Sequence, residues 1–569
     1  MAMPQRVRQP LIALPATILI FMAGVLQWDL VPGTVFFVWL GVSMLLPYLA
    51  LRRKSTQRVQ VCSAVLGSLL AAFMVVGREI HLYTTIERLI DLREFPKALV
   101  RIAGMAILCG SILYTLFDAA VKQGKKDNRW ILPFPVLWAA IFVCWLPYLI
   151  IFYPGCISND SLAEIISMLG QTPLNNHHPL IHQWTIASFL LIGHVFHSLE
   201  MGIMLYHLFQ MMVMSAIFAA GLHELGRLGT ARWLRIVFFA WYALHTVNAF
   251  YSITMWKDVL FGGIALLLTI QLMHLCDQNK QKGMKQWFAL AATLFLFCLY
   301  RNNGYYAFLF GIPFFIVFNR RSWKPLLAVS LSVFVAVNAY HALIFNVLDA
   351  EKSKAGESLS VPLQQVARTM CYYQHSVTEE EREVLGEVFT SVEEMRMVYN
   401  PEISDPVKDL FLSDVFNKDP LRYAKVWLQI GIRNPLVYLD AFLYQGHGYW
   451  YPNTPYWTVY SNIYPNDLGL KMEETKAASA LRNLQERLER HPVVGYLYRP
   501  GTYVWMLLIA CGLLLCKRRA LLLTPMLFLL GLWLTTLLSP VFAEYRYLYG
   551  VSVCAPYLLG VAQAAESRS

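Results

Sequence analysis

Apolar runs of about twenty residues recur along the chain, and short polar connections separate them. A helix of this length crosses a hydrocarbon core of about 30 Å. Because the apolar positions are continuous and do not alternate, the pattern favours membrane helices over a membrane β-barrel. The sequence therefore predicts an all-α polytopic integral membrane protein. We place about fourteen spans, by length, near residues 11–27, 31–50, 60–77, 100–118, 131–152, 202–222, 233–250, 258–276, 286–300, 304–318, 325–347, 501–516, 520–538 and 545–562.

Basic residues in the connections predict the orientation of these spans. They cluster at residues 52–54, 122–129, 227–235, 280–285, 320–324 and 517–519. All six clusters fall on the cytoplasmic side, together with both termini, if the apolar stretch at 180–196 does not cross the membrane. We therefore predict that this stretch is a juxtamembrane or re-entrant helix on the outer face. The expected location is a bacterial cytoplasmic membrane.

Long polar segments divide the predicted spans into domains. Residues 1–130 form an N-terminal four-helix transmembrane module, and residues 131–349 form a transmembrane core with an outer loop at 153–200. Residues 350–500 are polar enough for a small extracytoplasmic domain, and 501–569 carry three C-terminal transmembrane helices. Within the outer domain, Ser376 and Thr378 resemble helix-starting capping boxes. The run Glu379–Glu383 is typical of a solvated helix face, and the aromatic stretch 446–457 of a loop on the membrane surface.

Composition agrees with this class of protein. Hydrophobic residues make up 57% of the 569 residues and charged residues 15%, and the mean hydropathy is +0.46. The net charge of +11 comes from the short connections, so it indicates orientation and not nucleic-acid binding. Most of the ten cysteines lie in apolar runs; a disulfide between Cys156 and Cys371 is an open alternative. Arg6 and Arg8 before an apolar run indicate an uncleaved first helix.

Candidate chemistry begins in the first outer loop. Asp160 follows a predicted span, and His177 and His178 precede a proline and the juxtamembrane stretch. This order resembles the first outer loop of the C-type (GT-C) membrane glycosyltransferase superfamily, which includes protein O-mannosyltransferases, aminoarabinose transferases and RgtA-like bacterial families. The resemblance implies a GT-C-like bundle in which Asp160 is the catalytic or metal-binding carboxylate. The usual signature is a pair of acidic residues, but Asn159 and Ser161 flank Asp160 here. This departure disfavours a metal-dependent mechanism, and a divalent cation, Mg²⁺ or Mn²⁺, held by Asp160 is kept as an open alternative.

Further polar residues at the outer ends of spans follow the order of the same superfamily, over residues of about 131–562. They are Lys257, Asp258, Arg301, Asn302, Asn303, Glu544, Arg546 and Tyr547. The resemblance implies a polyprenyl-phosphate sugar donor and a glycan, lipid or protein acceptor in the cell envelope, with no nucleic acid. Cationic side chains at the membrane–water interface would bind the donor phosphate, and Lys257, Arg301 and Arg546 are the candidates.

The other candidate roles follow from the same chemistry. Asp160 would accept the proton of the attacking hydroxyl. His177 or His178 would donate to the leaving phosphate or orient the acceptor. Asp258 would hold Lys257 by a salt bridge or act as a second acid, and Asn302, Asn303, Glu544 and Tyr547 would support the site.

Structural explanations of the same residues stay open. Interfacial cations commonly snorkel to lipid headgroups, and Asp160 would serve as an N-cap. Two other functions are compatible with the pattern: a transporter or flippase of lipid-linked envelope precursors, and a non-catalytic envelope assembly protein.

Overall fold

A computed structural model describes residues 5–29, 34–122, 132–277 and 282–566 of the chain. About 78% is helical, and backbone pairing outside helices in these ranges is limited to isolated bridges. The all-α class is therefore confirmed. Eight helices in the described ranges are long and apolar enough to cross a membrane: Val35–Arg52, Gln57–Tyr83, Phe95–Lys122, Phe134–Ile151, Leu199–Leu228, Lys257–Leu275, Arg320–Asn346 and Ala520–Leu538. They support a multi-pass membrane protein.

The remaining predicted spans coincide with shorter or interrupted helices. Four of them match shorter apolar helices, at Ala13–Trp28, Met284–Tyr300, Asn302–Phe318 and Pro500–Cys516. The span predicted at 545–562 begins as the short 3₁₀ helix Tyr545–Leu548 and continues as an α-helix to Ala564. Fourteen membrane crossings therefore stay a prediction.

The N-terminal module consists of α1 (Gln5–Trp28), α2 (Thr34–Arg52), α3 (Gln57–Tyr83), the short α4 (Glu87–Ile90) and α5 (Phe95–Lys122). Glycines let three of these helices approach closely. Gly67 of α3 faces the backbone of Gly110 of α5, and a Cβ built on Gly67 would lie 2.6 Å from the Gly110 Cα. Gly104 of α5 meets α1 at the Leu19 carbonyl in the same way.

The described residues of the central core form ten α-helices. They are α6 (Phe134–Ile151), α7 (Asn159–Met168), α8 (Leu180–Val195), α9 (Leu199–Leu228), α10 (Arg232–Leu244), α11 (Thr246–Ser252), α12 (Lys257–Leu275), α13 (Met284–Tyr300), α14 (Asn302–Phe318) and α15 (Trp323–Asn346). The helix α8 packs on α9, where Gly193 and Gly202 are in close contact. Its sixteen residues extend about 24 Å, less than a hydrocarbon core. Met284–Tyr300 and Asn302–Phe318, which coincide with predicted spans, are only one residue longer, so the juxtamembrane position of 180–196 stays a prediction.

The prediction of one continuous span at 233–250 is wrong, because the helix breaks at His245. This residue adopts an extended conformation, with ψ at 119°. The side-chain amide of Asn248 donates to the carbonyl of Trp241 at 2.9 Å, beside the last helical hydrogen bond that this carbonyl accepts from the His245 amide. The His245 ring stacks on Trp241 and on Tyr498, so tertiary packing holds the break in place.

The predicted outer domain is helical and has its own core. Its helices are α16 (Ala355–Ser358), α17 (Ser360–Tyr372), α18 (Glu379–Val388), α19 (Val392–Val398), α20 (Asp405–Asp409), α21 (Ser413–Phe416), α22 (Pro420–Arg433), α23 (Pro435–Gln445) and α24 (Lys476–Arg490). Buried apolar residues of α17 to α23, such as Met370, Met395 and Ile430, form a separate cluster. The segment contacts the N-terminal module, where Asp440 accepts hydrogen bonds from Thr85 and Ile86.

Three local predictions for this region need correction or refinement. The capping box at Thr378 is confirmed by its reciprocal bonds with Glu381, but Ser376 lies in a 3₁₀ turn and caps no helix. Glu381 is buried because it pairs with Arg433, so the acidic run is not a uniformly solvated face. The stretch 446–457 does not lie wholly on a surface, because Tyr449, Trp450 and Tyr451 are buried between helices.

The C-terminal helices are α25 (Pro500–Cys516), α26 (Thr524–Leu538) and α27 (Tyr549–Ala564). The last of these is the most buried, and packs against α12 and α25. In α25, Gly512 lies against Phe117 of α5, which joins the N-terminal module to the rest of the bundle.

Basic connections gather at one end of the bundle. Lys122 Nζ donates to the Lys54 carbonyl at 2.8 Å, and Lys517 Nζ donates to the Ala562 carbonyl at 3.0 Å. The first residue of α12, Lys257, lies at the opposite end, about 27 Å along that helix. Parts of two predicted basic clusters, residues 123–129 and 280–281, lie outside the described residues. The assignment of this end to the cytoplasm stays a prediction.

Candidate functional site

The first outer loop is held between two other chain segments. The Cys156 amide donates to the Ile253 carbonyl at 2.7 Å, and the Met255 amide donates back to Cys156 at 3.1 Å. On the other side, Ile157 exchanges backbone hydrogen bonds with the segment 462–464. Residues far apart in sequence therefore fix the position at which α7 begins.

Asp160 lies in the first turn of α7 but does not cap it. The N-cap is Ser158, whose hydroxyl accepts from the Ser161 amide and from Trp256 Nε1, the latter at 2.8 Å. Ser161 Oγ donates to the Met255 carbonyl at 2.6 Å. The alternative of Asp160 as an N-cap is therefore wrong, because Ser158 already fills that position. About a third of the Asp160 side chain, 33%, is exposed.

Arg546 lies between two carboxylates. Its Nη1 donates to Asp160 Oδ2 at 2.6 Å, and its Nε lies against a carboxylate oxygen of the buried Glu544. The guanidinium also lies over the rings of Trp256, at 5.1 Å, and Tyr547, at 5.2 Å. The structure thus joins the predicted residues Asp160, Glu544 and Arg546, which are up to 386 positions apart.

The two carboxyl groups beside Arg546 have opposite pKa shifts. Burial by itself would raise the pKa of Asp160, but Arg546 and Lys257 outweigh it and hold this pKa well below its ordinary range. Burial raises the pKa of Glu544 to about 7, and Asp160 and Asp258 add to this effect against Arg546. At neutral pH, Asp160 is therefore ionised and Glu544 exchanges a proton.

Arg301 forms a second ion pair in the same place. Its Nη1 lies 2.8 Å from Asp258 Oδ1 and donates to the Tyr547 carbonyl at 2.9 Å. Both side chains of the pair are buried. The predicted salt bridge between Asp258 and Lys257 is wrong, because Asp258 pairs with Arg301. We call Asp160, Asp258, Glu544, Lys257, Arg301 and Arg546 the carboxylate–cation cluster.

Lys257 binds one of the two predicted histidines. Its Nζ lies 2.9 Å from His178 Nδ1, which acts as the acceptor. Burial, with Lys257 next, lowers the pKa of His178 to about 2, so this ring is neutral at physiological pH. His177 is exposed, and its ring contacts His178 edge-on at 4.7 Å. His178 can therefore donate a hydrogen bond through Nε2 but does not carry an acidic proton.

The two predicted asparagines begin α14 directly after Arg301. Asn302 is exposed and Asn303 is half-buried. Among the described residues, no hydrogen bond joins either side chain to the carboxylate–cation cluster. Their proposed supporting role stays a prediction.

A buried polar chain behind the cluster was missed by the sequence analysis. Glu164 Oε2 lies 2.5 Å from His182 Nδ1, and His182 Nε2 lies 2.8 Å from the Tyr206 hydroxyl. That hydroxyl donates to Gln210 at 3.0 Å, and Gln210 donates to three carbonyls just before Lys257. A signal was present for Glu164, which follows Asp160 in α7 by four positions, about one helical turn.

Within the described ranges, no group of three His, Cys, Asp or Glu side chains is arranged to hold a metal ion. An Asp160 that binds Mg²⁺ or Mn²⁺ would have to exchange its contact with Arg546 for the cation. All ten cysteines are in the described part of the chain, and each is unpaired, so the alternative disulfide between Cys156 and Cys371 is wrong.

Comparison with known protein families shows a match over most of the chain. The model of a family of unknown function (DUF6020) matches residues 169–569, and the match begins directly after α7. Asp160 and Glu164 therefore precede the matched region. Searches of curated proteins and of solved structures found no match.

Proposed function

The chain belongs to the DUF6020 family, and we propose that it is a GT-C-type membrane glycosyltransferase. In this proposal it moves a sugar from a polyprenyl-phosphate donor to a cell-envelope acceptor on the extracytoplasmic face. Two lines of argument support it: the resemblance of the loop and helix-end motifs, and the carboxylate–cation cluster in which they meet.

The carboxylate–cation cluster is the observation that carries the proposal. It brings charged side chains from α7, α12, the α13–α14 junction and the start of the last helix to one end of the bundle. With Glu544 protonated, three cations face two carboxylates, and the excess positive charge suits a phosphate. Lys257, Arg301 and Arg546 bind the donor phosphate in this mechanism.

Asp160 is the proton acceptor in the proposed reaction. It is ionised and is the most exposed carboxylate of the Arg546 and Arg301 ion pairs. The acceptor hydroxyl attacks the anomeric carbon of the donor, its proton goes to Asp160, and the bond to the lipid phosphate breaks. Glu544 is buried behind Arg546. Its protonation state sets the net charge of the carboxylate–cation cluster that binds the donor phosphate.

His178 and its neighbours position the groups around the donor. Lys257 donates to His178 Nδ1, so the imidazole Nε2–H points elsewhere and is a neutral hydrogen-bond donor. Such a donor stabilises a leaving phosphate without a change of charge. Glu164, 3.8 Å from the same ring, restricts its orientation.

Mass spectrometry of co-purified lipids tests the donor class. The parent, Arg546→Ala and Arg422→Ala are purified under identical conditions. Arg422→Ala is the control, because Arg422 is an exposed residue that pairs with Glu387 in the segment 350–500. We expect a polyprenyl phosphate carrying a sugar with the parent and with Arg422→Ala, and little with Arg546→Ala. Equal amounts in all three, or no such lipid with the parent, would contradict the proposal.

Sugar transfer separates the enzyme from its alternatives. A transporter or flippase would bind the donor but leave the sugar on the lipid. In membranes supplied with radiolabelled donor, the proposed enzyme moves the label into an envelope fraction. Label that stays in the lipid fraction, with unchanged donor binding, would favour the transporter.

A further inference from the structure

A half-exposed tryptophan lies next to the carboxylate–cation cluster. Trp457 is 43% exposed, and its ring centroid lies 6.2 Å from that of the buried Trp256, with the two planes tilted by 56°. The Arg546 guanidinium lies over the same Trp256 ring, 5.1 Å from its centroid. Trp256 therefore contacts both Trp457 and the arginine that binds the donor phosphate in the proposed mechanism.

The backbone on both sides of Trp457 is anchored. Thr458 is buried, and its carbonyl accepts from the Tyr251 hydroxyl at 3.0 Å. Thr454 is also buried, and its hydroxyl lies 2.9 Å from His447 Nδ1. A side chain on an ordered backbone loses little conformational entropy when a ligand packs on it. The Trp457 ring is therefore a prepared surface for binding.

Side chains of the segment 350–500 approach the same place. Tyr456 packs against Trp457, with ring centroids 6.0 Å apart. Burial raises the pKa of Tyr456, and Glu544 of the cluster and Asp405 of α20 add to this effect. Because charges are screened beyond about 10 Å, Tyr456 lies close to both carboxylates.

His177 of the first outer loop also lies near this segment. Burial lowers the pKa of His177; Lys257 adds to this effect, and Glu357 of α16 opposes it. Lys408 of α20 pairs with Glu357 and with Asp405, at 3.1 Å in each case. Polar groups of α16 and α20 therefore border the carboxylate–cation cluster.

An indole beside carboxylates fits a carbohydrate better than a second phosphate. One face of a pyranose ring presents C–H bonds, which pack on an aromatic ring, and its edge presents hydroxyls, which donate to carboxylates. The Glu357 and Asp405 side chains are 39% and 67% exposed, so lone pairs remain for such hydroxyls. A phosphate in the same position would be repelled by both carboxylates.

We propose that Trp457 is the residue on which the sugar of the donor stacks while the donor phosphate lies on Arg546. This role rests on the proposed transferase function and adds the substrate class, a pyranose with one face of C–H bonds. Trp457 selects the sugar-carrying lipid over bare polyprenyl phosphate, because the bare lipid presents no ring to the indole.

The lipids that co-purify with the full chain test this selection. Mass spectrometry measures the ratio of sugar-carrying to bare polyprenyl phosphate for the parent and for three variants purified under identical conditions. Trp457→Leu keeps an apolar side chain but no aromatic face, and Trp457→Phe keeps an aromatic face. Trp28→Ala is the matched control, because Trp28 is 40% exposed at the end of α1 and packs on Trp39.

The expected changes follow from the loss of one aromatic contact. Trp457→Leu should lower the ratio about tenfold without loss of the bare lipid. Trp457→Phe should lower it less, and Trp28→Ala should match the parent. Thermal unfolding of each variant checks that the fold is retained.

The outcomes separate this role from the proposed function. A parental ratio in Trp457→Leu, equal ratios in Trp457→Leu and Trp457→Phe, or an equal loss of both lipids would assign Trp457 to the aromatic belt at the membrane surface and overturn the stacking role alone. A parent without any polyprenyl phosphate would overturn the proposed function and the stacking role together.

Discussion

Glu544→Gln tests whether a buried carboxyl in the carboxylate–cation cluster exchanges its proton near neutral pH. Burial raises the pKa of Glu544 to about 7 from an ordinary value of 4.5. Between these two values the unfolded chain has released the proton and the folded chain has kept it. Stability therefore falls as the pH rises through this window and is constant above about pH 7.

The size of this effect follows from the two pKa values. Each tenfold change in proton affinity is about 1.4 kcal/mol, so the parent loses roughly 3 kcal/mol of stability between pH 4.5 and 7. Gln is neutral at every pH and has nearly the same shape. The variant should therefore lack this loss and be more stable than the parent at pH 8, by the same order of magnitude.

Thermal unfolding in detergent from pH 5 to pH 8 measures this difference. The Tm of the parent should fall relative to that of Glu544→Gln as the pH rises. Glu387→Gln, at an exposed carboxylate that pairs with Arg422, is the matched control and should follow the parent. Parallel curves for the parent and Glu544→Gln would refute the reasoning.

Three other substitutions test separate parts of the structure. Arg546→Ala should weaken donor binding ten- to a hundredfold and Arg546→Lys less, because Lys keeps the charge but not the planar guanidinium; equal affinities in a competition assay would limit Arg546 to its ion pairs with Asp160 and Glu544. Gly67→Ala should destabilise the N-terminal module by about 1–3 kcal/mol, because the added methyl group would meet the Gly110 backbone; Gly41→Ala, with open space around it, is the control and should not destabilise it. Equal Tm values for the two variants in thermal unfolding would contradict the close contact. A cysteine at the exposed Gln171 should react with a membrane-impermeant reagent in intact cells and one at Arg321 should not; the reverse would invert the topology.

The helices could be predicted because a helix in contact with lipid requires a continuous run of apolar residues, and such runs are visible in the sequence. Each of the fourteen predicted spans overlaps a helix in the described residues. The break at His245 could not be predicted in this way, because it depends on hydrogen bonding by Asn248 and on stacking with the distant Tyr498. Span length alone does not register such a tertiary contact.

The site was predictable in its members but not in its pairing. The resemblance in motif order predicted Asp160, Arg546 and Glu544 as site residues, and the structure brings these three side chains together. Which cation meets which carboxylate depends on helix packing, so the pairing of Asp258 with Arg301 was missed. The segment 350–500 shows the same limit, because the buried Glu381 pairs with Arg433, which lies 52 positions away.

Sugar transfer by Asp160→Asn, measured with radiolabelled polyprenyl-phosphate donor in membranes, tests the central claim most directly. The variant should insert and fold as the parent does, because Ser158 caps α7 and Arg546 keeps Glu544 as a partner. Asn cannot accept a proton, so transfer should fall about a hundred- to ten-thousandfold while donor binding persists. Near-parental transfer by the Asn variant, or no transfer by the parent, would contradict the account.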